Sequence, residues 1–299
     1  MIITQRNLRK LIREEIQRYN KRLLLEGGNV FIDVNSSVPS EYLDVTIKKS
    51  LLDAGLKKLK YSIIGNYKKP FLGDIDIAVD ASVIAKIMKF KGDATEFWGE
   101  LDKFFGRTKI KDHKINKGLK QAHFITPLID KSGKQLNAVD KNGNDLGRPG
   151  YVQIDVMIGD LGFMKKALSA SDYRSKYKAV YRNLLIADIF SQSILKTKDP
   201  DIKRKFQMNW KNGVELVHFT TNEKGKRVKL KVRKVMGDMD RLARFLFGPK
   251  YKFKDIDSFE KLYKLMRSKD FLFKKFNKKI IDAYKTSLSR YKLPIPTEL

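Results

Sequence analysis

Two aspartates stand one residue apart in the run Gly73-Asp74-Ile75-Asp76-Ile77-Ala78-Val79-Asp80, and the rest of that run is mostly apolar. Alternate residues of a strand share a face, so Ile75, Ile77 and Val79 are expected to meet a core while Asp74, Asp76, Ala78 and Asp80 face the other way. A second run, Tyr151 to Ile158, repeats the arrangement. Val152, Ile154, Val156 and Ile158 form its apolar face, and Gln153 and Asp155 lie opposite. If the two strands are neighbours, Asp74, Asp76 and Asp155 converge. Three carboxylates in one place raise one another's pKa values unless a cation neutralises them. Oxygen donors without His or Cys favour Mg²⁺ or Mn²⁺. An ion held by few carboxylates keeps positions open for phosphate oxygens, as two-metal phosphoryl transfer requires. Paired acids also occur on solvated strands; the third Asp on a matching strand is what points to a metal.

Upstream, Gly65-Asn66 follows the strand candidate 60–65, and a turn there offers backbone N–H groups to a phosphate, with Lys68 and Lys69 adding charge. An ordinary strand-to-loop turn uses the same residues. A glycine turn, an Asp-x-Asp nine residues beyond Gly65, and a later strand Asp together resemble the DNA polymerase β-like nucleotidyltransferase superfamily, over roughly residues 40–190. That group includes poly(A) polymerases, CCA-adding enzymes, terminal transferases and minimal nucleotidyltransferase toxins. The resemblance implies an α+β fold with a mixed sheet and flanking helices. By position it makes Asp74 and Asp76 the paired metal ligands, Asp155 the third acid that helps activate an attacking hydroxyl, and Gly65 with Asn66 the triphosphate turn. The family usually has Gly-Ser or Gly-Gly at that turn, so Asn66 is a departure; its amide still donates to a phosphate oxygen. The implied cofactor is Mg²⁺ or Mn²⁺, with a nucleoside triphosphate as substrate.

The elements that must position these residues are legible in outline. Helices are expected over residues 5–25, 40–58 and 82–105, from apolar residues at three-to-four spacing. Residues 107–150 read as strands and turns, with hairpin signals at Ser132-Gly133 and Asn142-Gly143. A helix opening at Ser169 or Ser171 carries Tyr173, Tyr177 and Tyr181 on one stripe, which reads as core packing. Lys176, Lys178 and Arg182 follow the third acid closely, and Lys178 and Arg182 are candidate nucleotide contacts. A hairpin, VELVHFT-TNEKGK-RVKLKVRKV, and helices near 238–247, 258–268 and 270–290 complete a basic, mainly helical C-terminal region. The domain reading is an N-terminal helix over 1–28, a catalytic domain over 29–195 and a nucleic-acid-binding domain over 196–299.

The chain has 299 residues, no cysteine and three scattered histidines, which excludes a disulfide framework and argues against a histidine-built metal site. No apolar run approaches the roughly 18 residues that span a bilayer, so neither a membrane nor a secretory signal is expected. Sixty-three basic against 34 acidic residues give a formal charge of +29, and +16 of it falls in residues 201–299. Such a balance points to a polyanion, and its uneven placement favours nucleic acid. Lys274, Lys275, Lys278 and Lys279 would form a basic edge that tracks a phosphate backbone.

Near the N-terminus, Leu24-Leu25-Glu26-Gly27 resembles the cleavage sites of prohead proteases in tailed bacteriophages. The same residues also read as a helix with a glycine stop. The resemblance would make this a phage protein, cytoplasmic in a bacterial host or packaged in the virion. The combined reading is a metal-dependent transfer of NMP from an NTP to a nucleic-acid 3′ hydroxyl, RNA favoured over DNA. Its rivals are single-nucleotide transfer to a tRNA, protein or small molecule, and a non-catalytic nucleic-acid-binding or virion-internal protein.

Overall fold

The structure is a computed structural model that describes residues 30–65, 67, 69–93, 96–169, 175–192, 194–195, 201–223 and 225–299. The expected helix over 5–25, the Glu26-Gly27 site, Asn66, Lys68 and Tyr173 lie outside the described residues.

After a two-residue strand, Val38–Pro39 (β1), and one 3-10 turn, helix Leu43–Asp53 (α1) buries Leu43, Ile47 and Leu51, four apart on one face. Gly55, at φ 71°, ends it. The Gly55 N–H reaches the Leu52 carbonyl at 3.0 Å and the Leu56 N–H reaches Leu51 at 2.7 Å, a Schellman stop, so the helix is shorter than 40–58. Strands Tyr61–Ile63 (β2), Phe71–Leu72 (β3) and Ile75–Asp80 (β4) follow. The helix expected over 82–105 is two helices, Ala81–Ile87 (α2) and Phe97–Phe105 (α3). Lys89 takes φ 55° between them, a left-handed conformation that no helix continues through.

Next come Asp112–Asn116 (β5), Gln121–Pro127 (β6), Asn137–Val139 (β7), Asp145–Pro149 (β8) and Tyr151–Gly159 (β9). The turn before β8 is built as its sequence suggests. Gly143 has φ 90°, and Asp140 Oδ1 accepts from the N–H groups of Asn142 at 2.7 Å and Asn144 at 2.9 Å. Helix Leu161–Ala167 (α4) is capped by Asp160, whose Oδ1 accepts from the Phe163 N–H at 3.0 Å. Helix Ala179–Ser191 (α5) starts later than the serines suggest, with Lys178 at its N-cap; Tyr177 precedes it and still packs on Tyr181, ring centroids 5.0 Å apart.

The C-terminal region carries more sheet than the hairpin alone. Strands Ile194–Leu195 (β10), Lys203–Asn209 (β11), Gly213–Thr221 (β12) and Arg227–Met236 (β13) form an antiparallel four-stranded sheet in that order. The chain then closes in helices Met239–Phe247 (α6), Phe259–Met266 (α7) and Asn277–Arg290 (α8).

The sheet that bears the acids has the order β2-β4-β9-β6-β5, so β4 and β9 are neighbours. With helices flanking a mixed sheet, the chain is α+β. Among the described residues two compact units do not follow chain order: one comprises 30–59, 67–76 and 84–156, the other 60–65, 77–83 and those from 157 on. In the first, Phe31, Val34 and Ile125 pack together. The second has a large core that includes Phe163, Leu185, Phe190, Leu242, Phe259 and Tyr284. No helix among the described residues is long and apolar enough to cross a membrane.

Candidate active site

Strand β4 forms because Ile75, Ile77 and Val79 are all fully buried on one side, as the alternation predicts. That register leaves Asp76, with Asp74 just before the strand, half-buried on the other side. Strand β9 repeats the pattern, burying Val152, Ile154 and Val156 and turning Asp155 away from them. Adjacent strands lie about 4.8 Å apart, and the three carboxylates meet. Asp74, Asp76 and Asp155 each offer an oxygen, and these oxygens all lie within 4.8 Å of one another.

Asp155 is the most buried of the three, at 8% exposure, and a buried carboxylate needs donors. It has two. The His123 Nδ1 is 2.8 Å from its Oδ1, and the Gln153 Nε2 donates to the same oxygen at 2.7 Å. Gln153 is fixed at its other end, where Oε1 accepts from the Val30 N–H at 2.6 Å. Hydrogen bonds to a charged group contribute roughly 1.5–3 kcal/mol each, so this pair holds the carboxylate in one orientation. His123 comes from β6, the strand on the far side of β9 from β4. Sheet order therefore sets metal-type acids on one side of Asp155 and its orienting imidazole on the other.

His123 and Gln153 are partners of Asp155 that the sequence reading did not single out. Gln153 carried a signal, because it shares the Asp155 face of the strand. His123 had none beyond a polar residue in an otherwise buried run, Ala122 to Ile125.

The expected nucleotide contacts fare unevenly. The Gly65 amide does not stand free for a phosphate: it donates to the Leu168 carbonyl at 3.2 Å, and Gly65 bridges Ser169 as a parallel partner. Its φ of 73° still explains why glycine is there. Arg182 is not a nucleotide contact. Its side chain is fully buried, with Nη1 donating to the Asp257 carbonyl at 2.6 Å, Nη2 to the carbonyls of Lys166 and Ala167, and Nε to Asn183 Oδ1. Helix α5 presents that position to the core, and burial pulls the guanidinium pKa down to about 10. Lys178 is exposed at the α5 N-cap. Lys274, Lys275, Lys278 and Lys279 are all exposed around the start of α8, as a solvated basic edge should be. A cavity of about 600 Å³ lies along α3, lined by residues including Met88, Phe90, Lys91, Phe104 and Arg107; none of the three aspartates lines it.

No protein-family model matches the chain, and no curated protein matches it. Among solved structures it is similar to the polymerase beta of Leishmania infantum. In a ternary P/T complex of that enzyme the identity is 12% and the TM-score 0.36, covering 75% of this chain and 77% of the other. In a ternary gap complex the identity is 12% and the TM-score 0.35, covering 75% of this chain and 72% of the other. At that level of superposition no residue role is transferred, and the site rests on its own geometry.

Proposed function

We propose that the chain is a nucleotidyltransferase that moves an NMP group from a nucleoside triphosphate to a nucleic-acid 3′ hydroxyl. The observation that carries the reading is the meeting of Asp74, Asp76 and Asp155 on neighbouring strands, their oxygens within 4.8 Å. Three carboxylates so close repel one another, and hard oxygen donors of this kind fit Mg²⁺ or Mn²⁺. Held by these three residues, a divalent cation would supply charge neutralisation for the triphosphate and a more acidic attacking hydroxyl.

In the transfer, the acceptor oxygen forms a bond to the α-phosphorus, the bond from that phosphorus to the bridging oxygen breaks, and pyrophosphate leaves with the electron pair. The hydroxyl proton passes to Asp155 or to solvent. Asp155 suits that task because its bonds to His123 and Gln153 fix the carboxylate before substrate arrives. The formal charge of +29 supports a polyanionic acceptor. RNA is favoured over DNA only through the family resemblance.

The test uses the full chain with labelled RNA and, separately, labelled DNA, Mg²⁺ or Mn²⁺, and each nucleotide in turn. Wild type is expected to extend one of the two primers, and Asp74→Ala/Asp76→Ala to lose at least about a thousand-fold in rate, or roughly 4 kcal/mol. No extension of either primer, and no label transferred to tRNA or protein, would overturn the reading.

A further inference from the structure

Strand β13 is the last strand of the C-terminal sheet, and eight consecutive residues, Arg227 to Lys234, are exposed. Its pairing with β12, and that of β12 with β11, sorts the side chains by face. Lys203 and Lys229 both stand opposite Phe219, Lys205 stands opposite Val217, and Arg227 stands opposite Thr221. Residues directly opposite in antiparallel strands share a face, so four cations from two strands surround one aromatic ring. Phe219 is only 2% exposed beneath them, with the Lys205 ammonium 5.9 Å and the Arg227 guanidinium 5.1 Å from the ring centroid.

Among the described residues, Lys203, Lys205, Arg227 and Lys229 make no ion pair. Lys234, on the same face, does: it donates to Asp160 Oδ2 at 2.5 Å. Burial, then the charges of Arg227 and Lys229, hold the Lys205 pKa below its ordinary value. Like charges set across a sheet destabilise it, so the free protein carries a cost that an anionic partner would remove.

We infer that this face, built from Lys203, Lys205, Arg227 and Lys229, binds the phosphodiester backbone of a nucleic acid. A backbone is the fit because the only aromatic in the cluster is sealed under cations and offers no ring for a base to stack on, so the contacts are to phosphate and carry little sequence preference. A membrane surface fits less well. Val228, Leu230 and Val232 are exposed between cations, but the register sets Val228 opposite Thr220 and Val232 opposite Val217, on different faces, so they do not form the continuous apolar stripe that an interfacial element inserts. The surface rests on the nucleotidyl-transfer reading only in taking the bound chain to be the acceptor.

The experiment is fluorescence anisotropy on the full chain without nucleotide and in EDTA, which separates its failure from failure of the transfer reading. The probes are a labelled single-stranded RNA, a DNA of the same sequence and a DNA duplex, each titrated over a range of KCl. Lys205→Gln/Arg227→Gln/Lys229→Gln is expected to weaken binding at least about tenfold. It should flatten the slope of log K against log salt on single strands by about 2, from about 0.7 per lost phosphate contact. Lys57→Gln/Lys58→Gln/Lys60→Gln removes equal charge elsewhere and should leave that slope unchanged. Lys205→Arg/Lys229→Arg should bind as wild type, and the Gln triple should melt no lower than wild type because repulsion is relieved. Comparing RNA with DNA identifies which chain the face prefers. If the Gln triple and the control bind alike on all three probes, or if the loss appears only on anionic phosphatidylserine vesicles, the inference is overturned.

Discussion

The His123 imidazole and the Asp155 carboxylate, 32 residues apart in the chain, meet at 2.8 Å between neighbouring strands, and both are buried. Side chains that orient a metal-ligating residue typically change metal affinity or activity 10–100-fold when lost. His123→Ala is therefore expected to weaken Mn²⁺ binding by about that factor, read by calorimetry on the full chain. An unchanged Mn²⁺ affinity with a lowered melting temperature would make the histidine a packing residue only.

The acid cluster makes a prediction that needs no substrate. Adding Mg²⁺ or Mn²⁺ should raise the melting temperature by several degrees, because an ion at 100 times its Kd stabilises by about 2.7 kcal/mol. Asp76→Asn should abolish that gain. A variant that keeps the gain would show that the ion binds elsewhere.

Arg182 belongs to the fold. Replacing it with Met leaves the carbonyls of Asp257 and Ala167 without the donors they have now, Ala167 keeping only the Asn183 amide at 2.7 Å. An unmet buried carbonyl costs about 1–3 kcal/mol, and since Ala167 keeps a donor the loss should be about that of one such group in denaturant unfolding. The KM for nucleotide in the folded fraction should not move. A selective KM effect with intact stability would restore the residue to the nucleotide site.

Asp188 links α5 to α8 by accepting from the Ser287 hydroxyl at 3.1 Å, and burial pushes its pKa up to about 6. The folded state then holds a proton that the unfolded chain has released. Its contribution is present below the ordinary carboxylate pKa and is lost as pH rises through about 6. Asp188→Asn keeps the acceptor and removes the ionisation. Relative to this variant, wild type should lose stability between about pH 4 and 6 and run parallel above pH 7; chemical denaturation at several pH values reads it. A constant difference across that range would refute the assignment.

At the β11–β12 turn, Gly213 has φ 107°, and a Cβ there would sit 2.0 Å from the Met236 carbonyl oxygen. Gly213→Ala should lower stability by at least about 2 kcal/mol, combining left-handed strain of roughly 1–2 kcal/mol with the clash. A melt within a degree of wild type would mean the turn can be rebuilt.

The acid pair was legible because charge inside a strict apolar alternation has few explanations, and Asp155 was legible because its strand repeats that alternation. What the reading could not supply was strand order. His123 becomes a partner of Asp155 only because β6 lies beside β9, a pairing that no local pattern encodes. Strand β11 was missed for a different reason: KRKFQMN alternates, but five of its seven residues are polar or charged, so its apolar pair, Phe206 and Met208, reads as incidental. Arg182 misled because a cation near a third acid looks like a phosphate ligand, whereas helix phase turned it inward. The long helix over 82–105 failed at Lys89, a residue type with good helix propensity; the signal that was present lay three residues further on, in Gly92-Asp93.

The side-chain amide of Gln153 has a direction. Its oxygen is claimed by the Val30 N–H, 123 residues earlier in the chain, and its NH₂ group is thereby turned to Asp155. Oδ1 of Asp155 also faces Nδ1 of His123, 2.8 Å away. Both of these partners sit at Oδ1 and leave Oδ2 outside the pair. In the proposed transfer the third acid would accept a proton on one side, and the choice of side is set by a single peptide N–H near the start of the described chain.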